Sequence, residues 1–350
     1  MSRYTPTFTF HSTVVEAPRP SAWGRRCVVL AWLMALAAAW TALAPWHALW
    51  LPGPPTLRWG LELIVHGQWL WLVLGGTAAV LAVVARRHSA WLALAVVLGS
   101  WWAQLPAAPQ AVLQPGAMGA APAPVLRVAS VNLWLDNPDL QALEQWLLSA
   151  QAPDLVVLQE FTPAHQRWLQ REGAGAALLK RFAHQSLHAQ SDPFGMAVLS
   201  RWPLARVQWQ VPAHHQETPQ WHGLLLWQGQ VVALGAVHPM PPIDAAYAQV
   251  RDARVLQAAR QVAGQRHAGV LLGDFNDTPW SAGMRALAPY MQRASGLAPT
   301  WPNVWGWGSL LPLDHILVTD HWQVLERGWG PAVGGDHRPV QVSLVLAEQR

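Results

Sequence analysis

Five apolar stretches of this 350-residue chain end in residues that can carry chemistry, and a sixth begins with one. The ends are Asn132, Glu160, His238, the pair Asp274 and Asn276, and the pair Asp336 and His337; Asp314 stands just before the run Ile316 to Val318. The sharpest stretch is Gly269 to Asp277, reading Gly-Val-Leu-Leu-Gly-Asp-Phe-Asn-Asp. Val270, Leu271 and Leu272 suit a buried strand, and Gly273 lets the backbone approach another segment closely. Asp274 and Asn276, two apart on an extended chain, point the same way and can converge on a water or a phosphate oxygen. Gly, Asp and Asn also make ordinary turns. Each of the others has a plain alternative too: Asn132 as a turn cap, Glu160 as a solvated strand end, His337 as one of 15 histidines. Recurrence at successive strand ends is what favours one shared site.

Those ends need strands behind them. From Val125 the chain alternates apolar runs with polar loops, and strands are expected at Leu126 to Trp134, Leu155 to Leu158, Met196 to Leu199, Leu224 to Trp227, Val231 to Val237, Val270 to Leu272, Ile316 to Val318 and Val340 to Leu346. Asn137-Pro138 reads as the cap and first turn of a helix with Leu140, Leu143 and Leu147 on one face. A long helix from about Ile243 to Ala263 places Ala246, Val250, Ala253, Leu256, Ala259 and Ala263 on one stripe. Many strands and few helices suit two packed sheets with outer helices.

The motifs Ser130-Val131-Asn132, Leu158-Gln159-Glu160, Gly195 to Arg201, Val237-His238, Gly273-Asp274-Phe275-Asn276, Leu313-Asp314-His315-Ile316 and Gly335 to Val340 occur in that order. In this set the chain resembles the endonuclease/exonuclease/phosphatase superfamily, the DNase-I-like fold, in a membrane-anchored bacterial form, over Val125 to Leu346. The resemblance implies a four-layered α/β sandwich that cleaves phosphate esters with a divalent metal, usually magnesium, with manganese as the substitute. Carried over by motif, Glu160 is the metal ligand, with Asn132 beside it and Asp336 in support. Asp274 positions or activates the attacking water, Asn276 holds a phosphate oxygen, His337 is oriented by Asp314 against the phosphate, and His238 contacts the phosphate or helps the leaving group. The tyrosine of the family's DNA-repair branch has no clear counterpart, and Val237-His238 runs into Pro-Met-Pro-Pro, where an apolar residue is usual.

Composition is split along the chain. Hydrophobic residues make up 52% and charged residues only 12%, and the deficit of charge lies between Val28 and Leu105. Of the net charge of +4, the part from Val125 onward carries 16 basic and 17 acidic residues, so the basicity sits before it and no broad face for a nucleic-acid backbone is indicated. The single cysteine, Cys27, excludes an intrachain disulfide and a cysteine zinc cluster. Residues 1–27 read as a disordered cytoplasmic tail. Apolar runs at Val28 to Ala44, Leu61 to Val84 and Ala90 to Leu105 predict a three-helix membrane anchor over residues 28–105. Arg3, Arg19, Arg25, Arg26, Arg86 and Arg87 fall on one side of such an anchor and Arg58 alone on the other, which makes the six-arginine side cytoplasmic. Pro106 to Pro124, with five prolines, two glycines and no charge, reads as a linker to a catalytic domain at residues 125–350.

The resulting expectation is a multi-pass protein of the cell (inner) membrane with its catalytic domain on the extracytoplasmic, periplasmic side. It would hydrolyse phosphate esters, with a phosphorylated lipid or lipid-linked phosphate as lead substrate. An extracytoplasmic nuclease acting on nucleic acid and a non-catalytic receptor for phosphate compounds are the competing readings. The segment Thr300 to Gly308, with Trp301, Trp305 and Trp307, is expected as a loop at the rim of the site, facing lipid headgroups.

Overall fold

A computed structural model describes residues 22–43, 53–84, 89–103, 112, 123–210, 217–303 and 309–347. The chain before residue 22, Arg86 and Arg87, most of the Pro106 to Pro124 linker, and Trp305 and Trp307 lie outside the described residues.

Twelve strands among these residues form two six-stranded sheets. In the first, β1 (Leu126–Asn132) pairs in parallel with β2 (Leu155–Gln159) and antiparallel with β12 (Val340–Leu346). Strands β4 (Met196–Ser200) and β3 (His184–His188) extend it past β2, and β11 (Trp322–Trp329) past β12. The second has the order β5 (Leu204–Gln210), β6 (Gln220–Trp227), β7 (Gln230–Val237), β8 (Ala268–Asp274), β10 (Asp314–Val318) and β9 (Gln292–Arg293). The sheets pack face to face, and the period of two along each strand decides who meets whom. Leu126 and Val128 on β1 share one apolar cluster with Val270 and Leu272 on β8 and with Ile316 and Val318 on β10. The alternate residues face outward. Ala129, Val131 and Leu158 pack under α5 (Gln141–Leu148), α6 (Pro163–Gln170) and α7 (Ala174–Arg181), while Ala233, Leu271 and Leu317 pack under α8 (Ala245–Ala263) and α9 (Ala282–Arg285). The result is the expected four-layered α/β sandwich.

Two local expectations shift. Helix α5 starts at Gln141, because Asn137 and Asp139 spend their side-chain oxygens on successive turns, accepting from Asp139 N and Gln141 N. The buried stripe of α8 is Ala245, Ala248, Arg251, Val255, Ala258, Ala259 and Val262, while Ala246 and Ala253 are exposed. Alanines fit either face, and a buried arginine on the inner one hides it from a hydrophobicity pattern.

The N-terminal part departs further from the sequence reading. Helix α1 (Ala22–Leu43) begins inside the stretch expected as a tail. Of the three expected spans, one helix, Ala22–Trp40, is long and apolar enough to cross a membrane. The second expected span is two helices, α2 (Pro55–His66) and α3 (Gln68–Val84), bent by 66°. The third, α4 (Ser89–Ala103), has 15 residues, between the 12 of α2 and the 17 of α3. The bend has a local cause. At Gly67, a poor helix residue, the N–H returns to Ile64 O at 3.3 Å, and the Trp71 indole takes the same carbonyl at 2.7 Å, closing α2. Helices α1, α3 and α4 pack together through alanines such as Ala31, Ala35, Ala78 and Ala93, with Cys27 buried beside Ala82. Their outer faces leave large apolar side chains exposed, among them Leu36, Val73, Val80 and Trp102.

Candidate active site

The strand ends that carry polar residues meet at one end of the sandwich. The inward-facing series continues one step beyond the apolar core on β8 and β10, to Asp274 and Asp314, and two steps on β1, through Ser130 to Asn132. Asn132 Nδ2 therefore reaches across the two sheets to Asp274 Oδ2, 3.1 Å away, and also donates to Glu160 Oε1 at 3.0 Å. Asp274 and Asp314 are register partners on adjacent strands, and β7 runs parallel to β8 with Val237 opposite Gly273. A Cβ on Gly273 would stand 1.9 Å from Val237 O, so only glycine permits this approach. It places His238 beside Asp274, Nε2 to Oδ2 3.6 Å.

Backbone strain aims two of the side chains. Glu160 follows β2 with φ at 55°, a left-handed conformation that re-aims its carboxylate from the outer face that strict alternation would give it. There Oε2 accepts from Leu135 N at 2.6 Å. Asn276 has φ at 50°; its N–H donates to Asp274 Oδ1 and its side-chain Nδ2 to Pro239 O. One amide hydrogen of Asn276 is thus committed to the loop after β7, leaving the other toward the cavity.

His337 completes the cluster. Its Nδ1 lies 2.8 Å from Asp314 Oδ2 and its Nε2 3.6 Å from Asp274 Oδ2. Burial alone would lower its pKa, but the carboxylates of Asp314 and Asp274 outweigh this and hold it up at about 10. Wholly buried Asp314 is itself pushed up by that burial, and the pair shares a proton between Nδ1 and Oδ2. Thr300, which the sequence reading did not assign, fixes Asp314 by accepting from Leu313 N and Asp314 N.

Two groups of residues are candidates for a divalent cation. Ligand atoms of Asp274, Asp314 and His337 all lie within 4.8 Å of one another. In this group His337 Nδ1 and Asp314 Oδ2 are engaged with each other. Glu160 and Asp336, which line the same cavity, offer hard carboxylate oxygens, and Asp336 Oδ1 is buried without a hydrogen-bond partner among the described residues. Asp314 Oδ1, in the first group, is likewise buried without a hydrogen-bond partner among the described residues, so each group offers a free hard oxygen to a cation. Asn132, expected with Glu160 and Asp336, turns its amide nitrogen to the carboxylates while its Oδ1 accepts from Trp134 N, so it positions Glu160 and Asp274.

The cluster opens into a cavity of about 690 Å³ lined by Glu160, His238, Asp274, Asn276, Asp336 and His337 on one side. The remaining lining is mostly apolar: Leu63, Phe194, Met240, Pro242, Leu311 and Leu313, with His66 of α2 beside them. Trp301 stands between the polar and apolar linings, its indole N–H donating to Asp336 Oδ2 at 3.2 Å and its ring 6.5 Å from that of His337. No lysine or arginine lines the cavity among the described residues. The apolar wall went unread because Phe194, Met240 and Leu63 come from three separate segments. Arg251 also escaped notice. Buried on α8, it donates to Asn276 O at 2.9 Å and pairs with Asp252 and Asp277, clamping the loop after Asp274.

A partly buried carboxylate, a carboxylate flanked by two imidazoles and a sandwich of this topology together define a phosphate-ester hydrolase architecture. The chain belongs to the endonuclease/exonuclease/phosphatase family, whose sequence model matches residues 129–337. Members of that family are phosphoesterases and nucleases, typically dependent on a divalent metal. The fold is similar to that of an endonuclease/exonuclease/phosphatase from Bacteroides vulgatus, with a TM-score of 0.52 and 15% identity over 64% of this chain and 100% of that one. It is also similar to a family protein from Bacteroides thetaiotaomicron, with a TM-score of 0.50 and 16% identity over 65% and 100%. Comparison with curated proteins found no match.

Proposed function

We propose that the protein is a membrane-tethered, metal-dependent phosphoesterase that hydrolyses phosphorylated lipids or lipid-linked phosphates outside the cytoplasm. The observation that carries this reading is the convergence of Asn132, His238 and His337 on one oxygen of Asp274, beside a cavity with a polar and an apolar wall. In this reading Asp274 takes a proton from a water as its oxygen bonds to phosphorus. The ester P–O bond breaks, and the leaving alkoxide takes a proton from the histidine side. The imidazolium of His337, held charged by Asp314, donates to a phosphate oxygen, and the free amide hydrogen of Asn276 orients another. A divalent cation on Glu160 and Asp336, magnesium or manganese by the hardness of those oxygens, would neutralise charge on the phosphate.

An apolar wall without lysine or arginine suits a lipid phosphate better than a duplex backbone. The large apolar side chains left exposed on α1, α3 and α4 support a bilayer around those helices. Arg25 and Arg26 near the start of α1, against Arg58 alone in the segment before α3, support a cytoplasmic start and a catalytic domain on the far side. The direct test is hydrolysis by the full chain in phosphatidylcholine nanodiscs of a panel of phosphatidic acid, polyprenyl phosphates, small phosphodiesters and DNA. Release of phosphate or headgroup from a lipid faster than from the others is expected. DNA cleaved faster than any lipid would overturn the substrate, and a reporter fused after Arg350 that works only in the cytoplasm would overturn the location.

A further inference from the structure

Helix α2 stands between two apolar helices in sequence, yet it is docked on the catalytic domain. Its Trp59 indole donates to Pro242 O at 2.8 Å, bonding it to the loop that follows His238. One turn later Leu63, 39% exposed, forms part of the apolar wall of the catalytic cavity. Val65 on the opposite side packs with fully buried Trp280, and Trp69 of α3 meets the same ring edge-on at 6.0 Å. His66 Nδ1 lies 2.8 Å from Thr278 Oγ1 and 3.7 Å from Asp277 Oδ1. Asp277 and Thr278 directly follow Asn276, so the helix is fastened to the loop that carries Asp274 and Asn276. At Gly67 the chain bends by 66° into α3, which packs with α1.

We infer that α2 is a built-in wall of the substrate site, placed to guide the hydrocarbon chain of a phosphorylated lipid from the bilayer along Leu63 to the phosphate-binding cluster. The inference rests on the membrane-tethered reading above and adds the part of the chain that selects the substrate. The occupant is a single hydrocarbon chain bearing a phosphate, because the same cavity is lined by the polar cluster and by apolar side chains, one of them on the helix that leads into α3. A soluble phosphate ester would gain nothing from Leu63, Met240, Leu311 and Leu313. Each methylene of an alkyl chain laid against them is worth about a two- to fourfold gain in affinity.

The test uses the full chain in phosphatidylcholine nanodiscs with magnesium and measures the Kd of non-hydrolysable alkyl phosphonates from two to eight carbons, corrected with empty nanodiscs. Expected is a Kd that falls about two- to fourfold per methylene, and a slope at least halved in Leu63→Asn. Trp59→Phe, which keeps the ring and loses the bond to Pro242, should flatten the slope in the same direction but less. It serves as the second variant should Leu63→Asn fold poorly. A wild-type Kd independent of chain length, or an unchanged slope in both variants, overturns the inference. If the slopes behave as expected but no phosphate ester is hydrolysed, the wall stands and the enzymatic reading falls. If esters are hydrolysed without any dependence on chain length, the enzyme stands and the wall falls.

Discussion

His238 and His337 present their Nε2 atoms to the same oxygen of Asp274, each at 3.6 Å. That oxygen also accepts from Asn132, while the other accepts the Asn276 N–H, so the carboxylate sits within a ring of donors. Asp274→Asn would set an amide against two imidazoles and another amide. Turnover is expected to fall by about three orders of magnitude or more, with His337→Ala of similar size. The double variant Asp274→Asn with His337→Ala should lose little more than either single one, since the two act as a unit. Steady-state kcat for the four proteins checks this; strict multiplication of the two losses would show that they act independently.

Removal of divalent cations by a chelator is expected to abolish hydrolysis, and magnesium or manganese to restore it. Glu160→Gln and Asp336→Asn should each require a higher metal concentration for half-maximal rate. Titrating metal against rate in the three proteins separates these outcomes. Full activity in chelator would remove the metal from the mechanism.

Arg251 is 1% exposed, and its guanidinium faces Asp252, Asp277 and the carbonyl of Asn276. Arg251→Met keeps the volume but strands Asp277 as a buried carboxylate. A loss of about 3–5 kcal/mol is expected, seen as a drop in Tm on the order of 10 °C. Thermal unfolding of the full chain in detergent measures it, and an unchanged Tm would mean that Asp277 is neutralised by other means.

Two buried histidines away from the proton-sharing pair set an acid limit. Burial lowers His315 to about 4, and burial with the nearby Arg254 charge lowers His222 to about 4, against 6.5 for a free imidazole. Between about pH 4 and 6.5 these two side chains bind more protons in the unfolded chain than in the folded one, whereas Asp252, held up at about 6 by burial, acts the other way. The contribution of each histidine should be full above pH 6.5 and fall as pH drops through that window, by up to about 3 kcal/mol. Denaturation midpoints measured from pH 4 to 8 test this, and His222→Phe should make the decline shallower.

The central strands were legible because they are apolar and closely bounded: Leu155–Gln159, Met196–Ser200 and Val340–Leu346 appear within a residue of where their composition puts them. Strands β3 and β5 were not. Both lie at sheet edges and are only half-buried or exposed along most of their length, so they lack the apolar alternation that marks a strand. The polar cluster was legible residue by residue, since strand ends carry their chemistry in sequence. What a single chain segment cannot reveal is a contact between distant ones. The bond from Trp59 to Pro242 spans 183 positions, and the break at Gly67, flanked by His66 and Gln68, falls inside a run long enough to read as one span. Composition reads Leu61 to Val84 as one span, whereas packing against Trp280 and the Trp71 bond to Ile64 O divide it.

The empty Cα of Gly273 has a meaning for how this protein tolerates change. Strands β7 and β8 come together there only because no side chain intervenes, and the spacing of His238 and Asp274 follows from it. In a library with every substitution at every position, residue 273 would score with the catalytic carboxylates although it has no functional group to lose. Selection on the reaction thus acts as strictly on an absent methyl as on a present acid. A search for the active site by mutational intolerance would return a residue that never touches the substrate.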